Sequence, residues 1–364
     1  GYYMRALIAG PIFSESGYGF HTREVVRGLL SSEVRPLLGY HLYWGNNTEA
    51  PRSRYLEIQK WYLTNSTHFP SIMDEQLTNF CRQRALQYIA TTIPSEFRRH
   101  SNVCNWGVTA ALETTLCSEQ WVQGCSQMDY LIVPSMFAAS MLRNSGVKTP
   151  ILVVPETVDH SIFNTERPSS QQLLATEKAF LVAGQWNASV PDDRKNILNT
   201  IRWFMRAFEG REDVSLLLKI HCNNLSPLDF HDTLTALKRW GILPKAKFPK
   251  IQVLHGYLSP GELASLYRHP SVLALLSLGH GEGFGRFVAE ALSCGLPVLQ
   301  TGWSGPIDFT PTNFHVSYTL EPVPQGVIPT EWVHPHAQWA VPSESEVIDK
   351  MRDIEQDPGK WRGI

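Results

Sequence analysis

Residues 272–300 read VLALLSLGHGEGFGRFVAEALSCGLPVLQ. The stretch opens with a short apolar run, Val272–Ser277, of the kind that forms a strand buried on both faces. A glycine-rich turn follows, in which Gly281, Gly283 and Gly285 can take positive φ and let the backbone approach a ligand. A helix is expected to open near Phe284 and to run over Phe287–Cys294, with Gly295 ending it. Pro297–Gln300 then reads as the next strand. Strand, turn, helix and strand in this order form one unit of a parallel α/β sheet.

The same alternation continues in both directions. N-terminal to it, Ala179–Ala183, Val214–Ile220 and Ile251–His255 read as strands, with helices over Asn196–Phe208 and Gly261–Tyr267. Earlier still, Arg5–Ala9 reads as a strand, leading through the Gly- and Ser-rich loop Gly10–Gly19 into a helix over Thr22–Leu30. Tyr130–Pro134 and Ile151–Pro155 read as buried strands, each stopped by proline. Asn164–Gln172 (NTERPSSQQ) is polar and broken by Pro168, which makes it the candidate linker. The expected architecture is therefore two Rossmann-like halves, 1–165 and 166–364, facing across a cleft. Ligands would sit at the carboxyl ends of the strands.

Length and composition agree with this class. A chain of 364 residues, 43% of them hydrophobic, can bury a large core without disulfides or metals. Thirty-two Lys and Arg against 34 Asp and Glu give a net charge of −2, which argues against a dedicated nucleic-acid binder. The 6 cysteines form no C-x-x-C pair and read as reduced thiols. No apolar run reaches the length of a membrane span, and the N-terminal residues do not read as a basic-then-apolar signal segment. Gly1–Tyr3 read as an appended scar. These features suggest a soluble cytoplasmic protein.

The glycine turn carries the chemistry. Exposed N–H groups at a helix start, together with the helix dipole, favour an anion such as a phosphate. Glu282 precedes that helix and Glu290 lies eight positions on, about 12 Å away if the rise were helical throughout. Two acceptor-only carboxylates at that separation suit the hydroxyl-bearing ends of one extended ligand with phosphates between them. The plainer reading makes the glycines a strand-to-helix turn and Glu290 a surface charge. Its neighbours Val288, Ala289, Ala291 and Leu292 favour a buried helix instead.

Glu282 and Glu290 form an E-x7-E pair, and SLGHGEGFGRFVAEALSCGLPVL resembles the retaining nucleotide-sugar glycosyltransferases of the GT-B fold, especially glycosyltransferase family 4. SGYGFHTREVVRGL (16–29) is similar to the family's N-terminal glycine loop and helix. Residues 107–147 resemble the segment before its last N-domain strand, and VVPETVDHSIF (153–163) its domain junction. DRKN (193–196) and HGYLSPGELASLY (255–267) fall in order. The region from Leu38 to Asn105 is unmatched.

The resemblance implies an N-terminal acceptor-binding domain over 1–165 and a C-terminal donor-binding domain over 166–364. It implies that Glu290 holds the ribose hydroxyls and Glu282 those of the transferred sugar. Gly283 lies in the same turn, and the amides of Phe284 and Gly285 would face the diphosphate. Lys195, with Arg194, would neutralise the leaving diphosphate. Gly17 and Gly19 would form the loop beneath the donor phosphates, where a ligand-free turn is the plainer reading. Glu113 is placed on the acceptor side, with a buried structural carboxylate as the alternative. His280 is given a structural or orienting role. The aromatic clusters Tyr40–Trp44 and Trp61–Tyr62 read as core packing in preference to an acceptor surface.

Three departures from the family pattern stand out. Gln185 follows Gly184 where the family usually has arginine, leaving less positive charge for the diphosphate. No N-domain histidine sits in a persuasive motif, with His21, His41, His68 and His100 all available. The chain stops at Ile364 without the family's helix that crosses back to the N-domain, which raises the expectation of a longer polypeptide.

The expected function is a retaining, metal-independent transfer of a hexose from a nucleoside-diphosphate sugar to a hydroxyl of a glycan or lipid-linked saccharide. No cofactor is expected. Peripheral membrane contact is common among such enzymes, but no basic amphipathic helix in the sequence establishes it here. The competing expectation is a catalytically silent GT-B-like subunit that binds a partner or glycan. The set Glu282, Glu290 and Lys195 argues against that alternative.

Overall fold

The computed structural model describes residues 5–33, 35–41, 52–66, 87–166, 174–243 and 247–363. The chain divides into two compact units, Gly1–Thr157 with Thr330–Pro335, and Val158–Pro329 with His336–Ile364. It passes from one to the other at Thr157/Val158, ahead of the break expected after residue 165. Most of the polar stretch read as a linker lies outside the described residues, as do Cys81, His68 and Leu42–Trp44.

In the first unit the chain runs β1 (Arg5–Gly10), α1 (Gly17–Leu30), β2 (Arg35–His41), α2 (Leu56–Ser66), β3 (Gln87–Thr91) and β4 (Cys104–Val108). It continues through α3 (Glu119–Ser126), β5 (Tyr130–Val133), α4 (Met136–Asn144) and β6 (Ile151–Val153). Among the described residues the sheet is six-stranded, ordered β2-β1-β3-β4-β5-β6 and parallel throughout. Ala6, Leu7 and Ile8 in β1 are fully buried, as the apolar run requires. β3 and β4 are not visible as apolar runs because QYIAT and CNWGV alternate buried with half-buried positions. Trp61 packs in the core, and Tyr62 lies edge-on to Phe13 at 5.1 Å between ring centroids. Trp61 is a core residue and the half-buried Tyr62 packs against the core, as the packing reading expects.

The returning segment Thr330–Pro335 is held within this unit by backbone. Ser118 N donates to the Trp332 carbonyl at 2.7 Å and its hydroxyl donates to the Glu331 carbonyl at 2.6 Å. The Trp332 and Trp121 rings lie 5.8 Å apart. Nothing in the local sequence announces this return.

The second unit runs β7 (Lys178–Gln185), α5 (Ile197–Ala207), β8 (Val214–His221), α6 (Pro227–Arg239), β9 (Lys250–Val253) and α7 (Pro260–Tyr267). Next come β10 (Val272–Ser277), α8 (Arg286–Ser293), β11 (Val298–Thr301) and β12 (His315–Val316). The unit ends with the antiparallel pair β13 (Tyr318–Pro322) and β14 (Gln338–Pro342), then α9 (Glu344–Gln356) and α10 (Pro358–Arg362). The main sheet is parallel, ordered β12-β11-β10-β7-β8-β9. β10 is buried from Val272 to Leu276, so its apolar run is covered on both faces. Such burial contributes roughly 1.5–3 kcal/mol for each large aliphatic side chain. The order of strands reverses between β7 and β10, and open parallel sheets bind ligands outside the carboxyl ends at that point.

Among the described residues no helix is long and apolar enough to cross a membrane.

Candidate active site

The carboxyl ends of β7 and β10 bring together the residues that the glycine turn singled out. β7 ends at Gly184 and Gln185, and the loop after it carries Asp193, Arg194, Lys195 and Asn196 before α5 begins. β10 ends at Ser277, and the turn Gly279–Gly285 leads to α8. Bonds to backbone carbonyls tie the two loops together. His280 N donates to the Arg194 carbonyl at 2.8 Å, Asn196 Nδ2 donates to the Leu278 carbonyl at 2.9 Å, and Arg194 Nη1 donates to the Gly281 carbonyl at 3.3 Å.

Asp193 and Asn196 build the loop that presents the basic pair. The Asp193 carboxylate accepts from Asn187 N at 3.2 Å and from Ile197 N at 3.3 Å, so it caps α5 from within the loop. Burial holds the Asp193 carboxyl above the ordinary carboxylate range. Asn196 takes a left-handed conformation, φ 54°, which asparagine tolerates better than most side chains. In the sequence DRKN is recognisable by its order alone, and neither residue carries an expected role. The signal available was the Asp and Asn flanking the basic pair, both of them short groups that bond to backbone.

Lys195 Nζ lies 2.7 Å from Glu282 Oε1, and Arg194 Nη1 lies 3.3 Å from Glu282 Oε2. Burial pushes the Glu282 carboxyl up, and the Lys195 and Arg194 charges more than offset it, leaving Glu282 below the ordinary carboxylate range. Glu282 is thus ionised in the resting site and holds both cations at the mouth of the turn. Its backbone is fixed as well: Glu282 N donates to Ser304 Oγ at 2.9 Å, and Gly305 N donates to the Glu282 carbonyl at 2.9 Å. Ser304 has φ 76°, an unfavourable conformation for serine that the bond to Glu282 helps to hold.

α8 opens at Arg286, two residues after the expected opening near Phe284 and one before the expected range Phe287–Cys294, because Gly285 takes φ 93° and turns the chain into the helix. A Cβ at Gly285 would come within 2.5 Å of Pro306 Cγ, so glycine is required there for space as well as for φ. Glu282 therefore lies outside the helix, and the 12 Å helical separation from Glu290 does not apply. No side chain caps α8, whereas serine hydroxyls cap α6, α7 and α9. The first-turn amides of α8 are the groups an anion at this turn would meet. Phe284 itself is 7% exposed and packs against Phe309 at 5.1 Å between centroids. Only its amide, with those of Gly283 and Gly285, belongs to the turn.

Glu290 lies one turn into α8 and is 5% exposed, so the surface-charge reading does not apply. Its Oε2 accepts from the Tyr267 hydroxyl at 3.3 Å. Burial and the Glu290 charge push the Tyr267 hydroxyl well above its ordinary range, so it remains a donor. In the sequence Tyr267 shows only as the end of a helix. His280 is 1% exposed, stacks on Trp339 at 4.1 Å, and sets its ring nitrogens 2.7 Å from the Ala340 carbonyl and 2.5 Å from Asp192 Oδ1. These contacts fasten the glycine turn to β14 and to the loop before Arg194.

Gln185 points outward and its Nε2 donates to the Cys222 carbonyl at 2.9 Å. An arginine could keep that bond and add charge at the end of β7. The Gln185→Arg variant is expected to fold normally and to bind a nucleoside diphosphate a few-fold more tightly, read by calorimetric titration. A large loss of affinity would show that Gln185 has a partner of its own.

In the first unit the carboxyl ends of β1 and β4 carry the remaining residues. Gly17 is exposed, whereas Gly19 is buried. Gly19 N donates to Ser16 Oγ at 3.1 Å, and a Cβ there would lie 2.1 Å from the Ser14 carbonyl oxygen, so tight packing requires the glycine. Tyr18 Oη and Thr109 Oγ1 are 2.9 Å apart. Burial and the Glu113 and Glu156 carboxylates hold the Tyr18 hydroxyl above its ordinary range, which sets Glu113 beside α1. His21 Nδ1 lies 3.8 Å from Glu156 Oε1. His100, by contrast, is buried before the amino end of β4, and the side chains of His41 and His68 lie outside the described residues. No group of three or more His, Cys, Asp or Glu among the described residues is arranged to hold a metal ion.

Residues 245–311, which contain the glycine turn and α8, match the family model described as Glycosyl transferases group 1. By this segment the chain is a glycosyltransferase. Its structure is similar to that of HepE from Anabaena, solved in complex with UDP and glucose, with 13% identity, 99% of this chain and 92% of that chain covered, and a TM-score of 0.63. It is also similar to sucrose-phosphate synthase from Thermosynechococcus elongatus, with 14% identity, 99% and 91% covered, and a TM-score of 0.62. A third similar structure is WaaG, a glycosyltransferase involved in lipopolysaccharide biosynthesis, with 12% identity, 99% and 93% covered, and a TM-score of 0.54. At these identities the similarity gives this glycosyltransferase its fold, GT-B with two Rossmann-like domains. No curated protein sequence matches the chain.

Proposed function

We propose that this glycosyltransferase moves a hexose from a nucleoside-diphosphate sugar to a hydroxyl of a glycan or lipid-linked saccharide, with retention at the anomeric carbon and without a metal. The observation that carries this reading is the joining of Arg194 and Lys195 to Glu282 at the uncapped start of α8. Cations and helix amides gathered at one point suit a leaving diphosphate, whose charge grows as the sugar–phosphate bond breaks. In this reading Lys195 and Arg194, with the amides of Phe284 and Gly285, receive the diphosphate. Glu282 accepts hydrogen bonds from the sugar hydroxyls and Glu290 from the ribose. The anomeric carbon exchanges its bond to the phosphate oxygen for one to the acceptor oxygen, on the same face. The acceptor's proton passes to the departing phosphate, so the protein positions and stabilises the reactants without an enzymic nucleophile. Glu113, Gly17 and Gly19 are assigned to the acceptor and donor-loop side, and the enzyme is placed in the cytoplasm. HepE, which shares the fold, is solved with UDP-glucose, and this supports the donor chemistry.

A thermal-shift screen of nucleoside diphosphates and their sugar conjugates, with and without magnesium, tests the proposal. The expected result is a rise of several degrees with one nucleotide series, equal in both conditions, because a ligand that binds only the folded state stabilises it by mass action. A rise that needs magnesium would overturn metal independence. No rise with any nucleotide would overturn the donor site.

A further inference from the structure

The second unit holds a titratable side chain beside the basic loop that the donor reading leaves unused. His221 ends β8 and is paired in register with Gln185 at the end of β7. Trp186 N donates to the His221 carbonyl at 2.9 Å, so the two strand ends are held side by side. Gly184 packs against Lys195: a Cβ built on it would stand 3.2 Å from Lys195 Cε and 3.6 Å from its Nζ. His221 is half-buried, and its ring makes no hydrogen bond among the described residues.

The charged groups around it come from every neighbouring element. Lys219, on the same strand, donates from Nζ to the Gly256 carbonyl at 2.6 Å. Lys195 approaches from the loop before α5. Asp229 of α6 and His255 after β9 form a buried pair, 2.8 Å from Nε2 to Oδ2. Burial comes first, and with the nearby Lys219 charge it outweighs the pull of Asp229; the His221 imidazole is pushed down to about 4. In the free protein at neutral pH the ring is therefore uncharged.

We propose that His221 contacts the diphosphate of the donor and takes up a proton from solvent as that diphosphate binds. A diphosphate placed against Lys195 reverses the local field. Two negative charges arrive beside the ring and offset the Lys219 and Lys195 charges that disfavour the imidazolium. His221 then supplies, from the neighbouring strand, the positive charge that Gln185 does not carry. No bond of the donor changes, and the proton comes from the medium to a ring nitrogen. The inference rests on the donor-site reading above. Its sign follows from linkage: the bound state holds the extra proton, so affinity is greatest at low pH and is lost as pH rises through the bound-state value.

The test is calorimetric titration of UDP, or of GDP or ADP if UDP does not bind, into the full chain at pH 6 in two buffers of different ionisation heat. The expected result is that wild type takes up more protons than His221→Gln, by about half a proton or more; the nucleotide's own titration cancels in that difference. Wild-type affinity is also expected to fall more steeply from pH 5.5 to 7.5, by up to about tenfold per unit. His221→Lys, which is permanently charged, is expected to keep the affinity and lose the His221-dependent uptake, a check that does not need the Gln variant to fold. Equal proton counts in wild type and both variants would overturn the inference and leave the donor site standing. Binding of none of the three nucleotides would overturn the donor site and the inference with it.

Discussion

Lys195→Ala is expected to lower kcat/KM roughly 100- to 1,000-fold, the usual cost of removing one preorganised group that stabilises transition-state charge. The readout is release of nucleoside diphosphate from the donor. The fold should survive the change. Lys195 and Glu282 are each 18% exposed at the side chain, and Arg194 remains 3.3 Å from the same carboxylate. The expected stability cost is therefore on the order of 1 kcal/mol, less than for a fully buried pair broken without compensation. That cost depends on pH. The two cations hold Glu282 below the ordinary carboxylate range, so its contribution is present above that range and is lost as pH falls through the depressed value. Without Lys195 the Glu282 carboxyl moves up, and the variant should lose stability at a higher pH than wild type. Turnover equal to wild type, in a variant that melts normally, would remove Lys195 from the reaction.

Glu290→Ala is expected to raise the donor KM and to lower kcat/KM about 100-fold, consistent with losing a charge-assisted acceptor for two adjacent hydroxyls. The carboxylate is 5% exposed and is held by the Tyr267 hydroxyl at 3.3 Å. The variant leaves that hydroxyl without this acceptor, a cost of about 1–2 kcal/mol that a thermal melt would show. Tyr267→Phe removes the same bond and keeps the carboxylate, so it should reproduce much of the stability loss with a smaller effect on KM. If Glu290→Ala destabilises the protein but leaves the donor KM unchanged, Glu290 is a structural carboxylate and the ribose assignment falls.

Most of the candidate site in the second unit was legible in the chain because its pattern is local. The buried run of β10, the glycines of the turn and the two carboxylates all lie within one strand–turn–helix unit. Lys195 was found by its order in the chain, and only folding brings it to Glu282. Spacing places α8 over Phe287–Cys294, one residue from its observed span at each end, and leaves its opening anywhere from Phe284 on. That boundary is set by the positive φ of Gly285 and by Pro306 packed against it. β3 and β4 escaped notice because alternating burial leaves no continuous apolar run. The return of Thr330–Pro335 to the first unit was invisible because backbone carbonyls accept the Ser118 bonds, whatever side chains those residues carry.

From residue order alone come the α/β class, the repeated Rossmann-like pattern and the types of group gathered at the glycine turn. These follow from hydrophobic periodicity and from the special backbone freedom of glycine, both of which are local properties. Tertiary structure was needed for everything that depends on distance between remote parts of the chain. It set Lys195 and Arg194 on Glu282 across the β7/β10 strand reversal, buried Glu290 under Tyr267, and placed His221 beside Gln185. Charge state is part of that group, since the ionisation of Glu282 and the neutrality of His221 are fixed by burial and by neighbours that only the fold supplies.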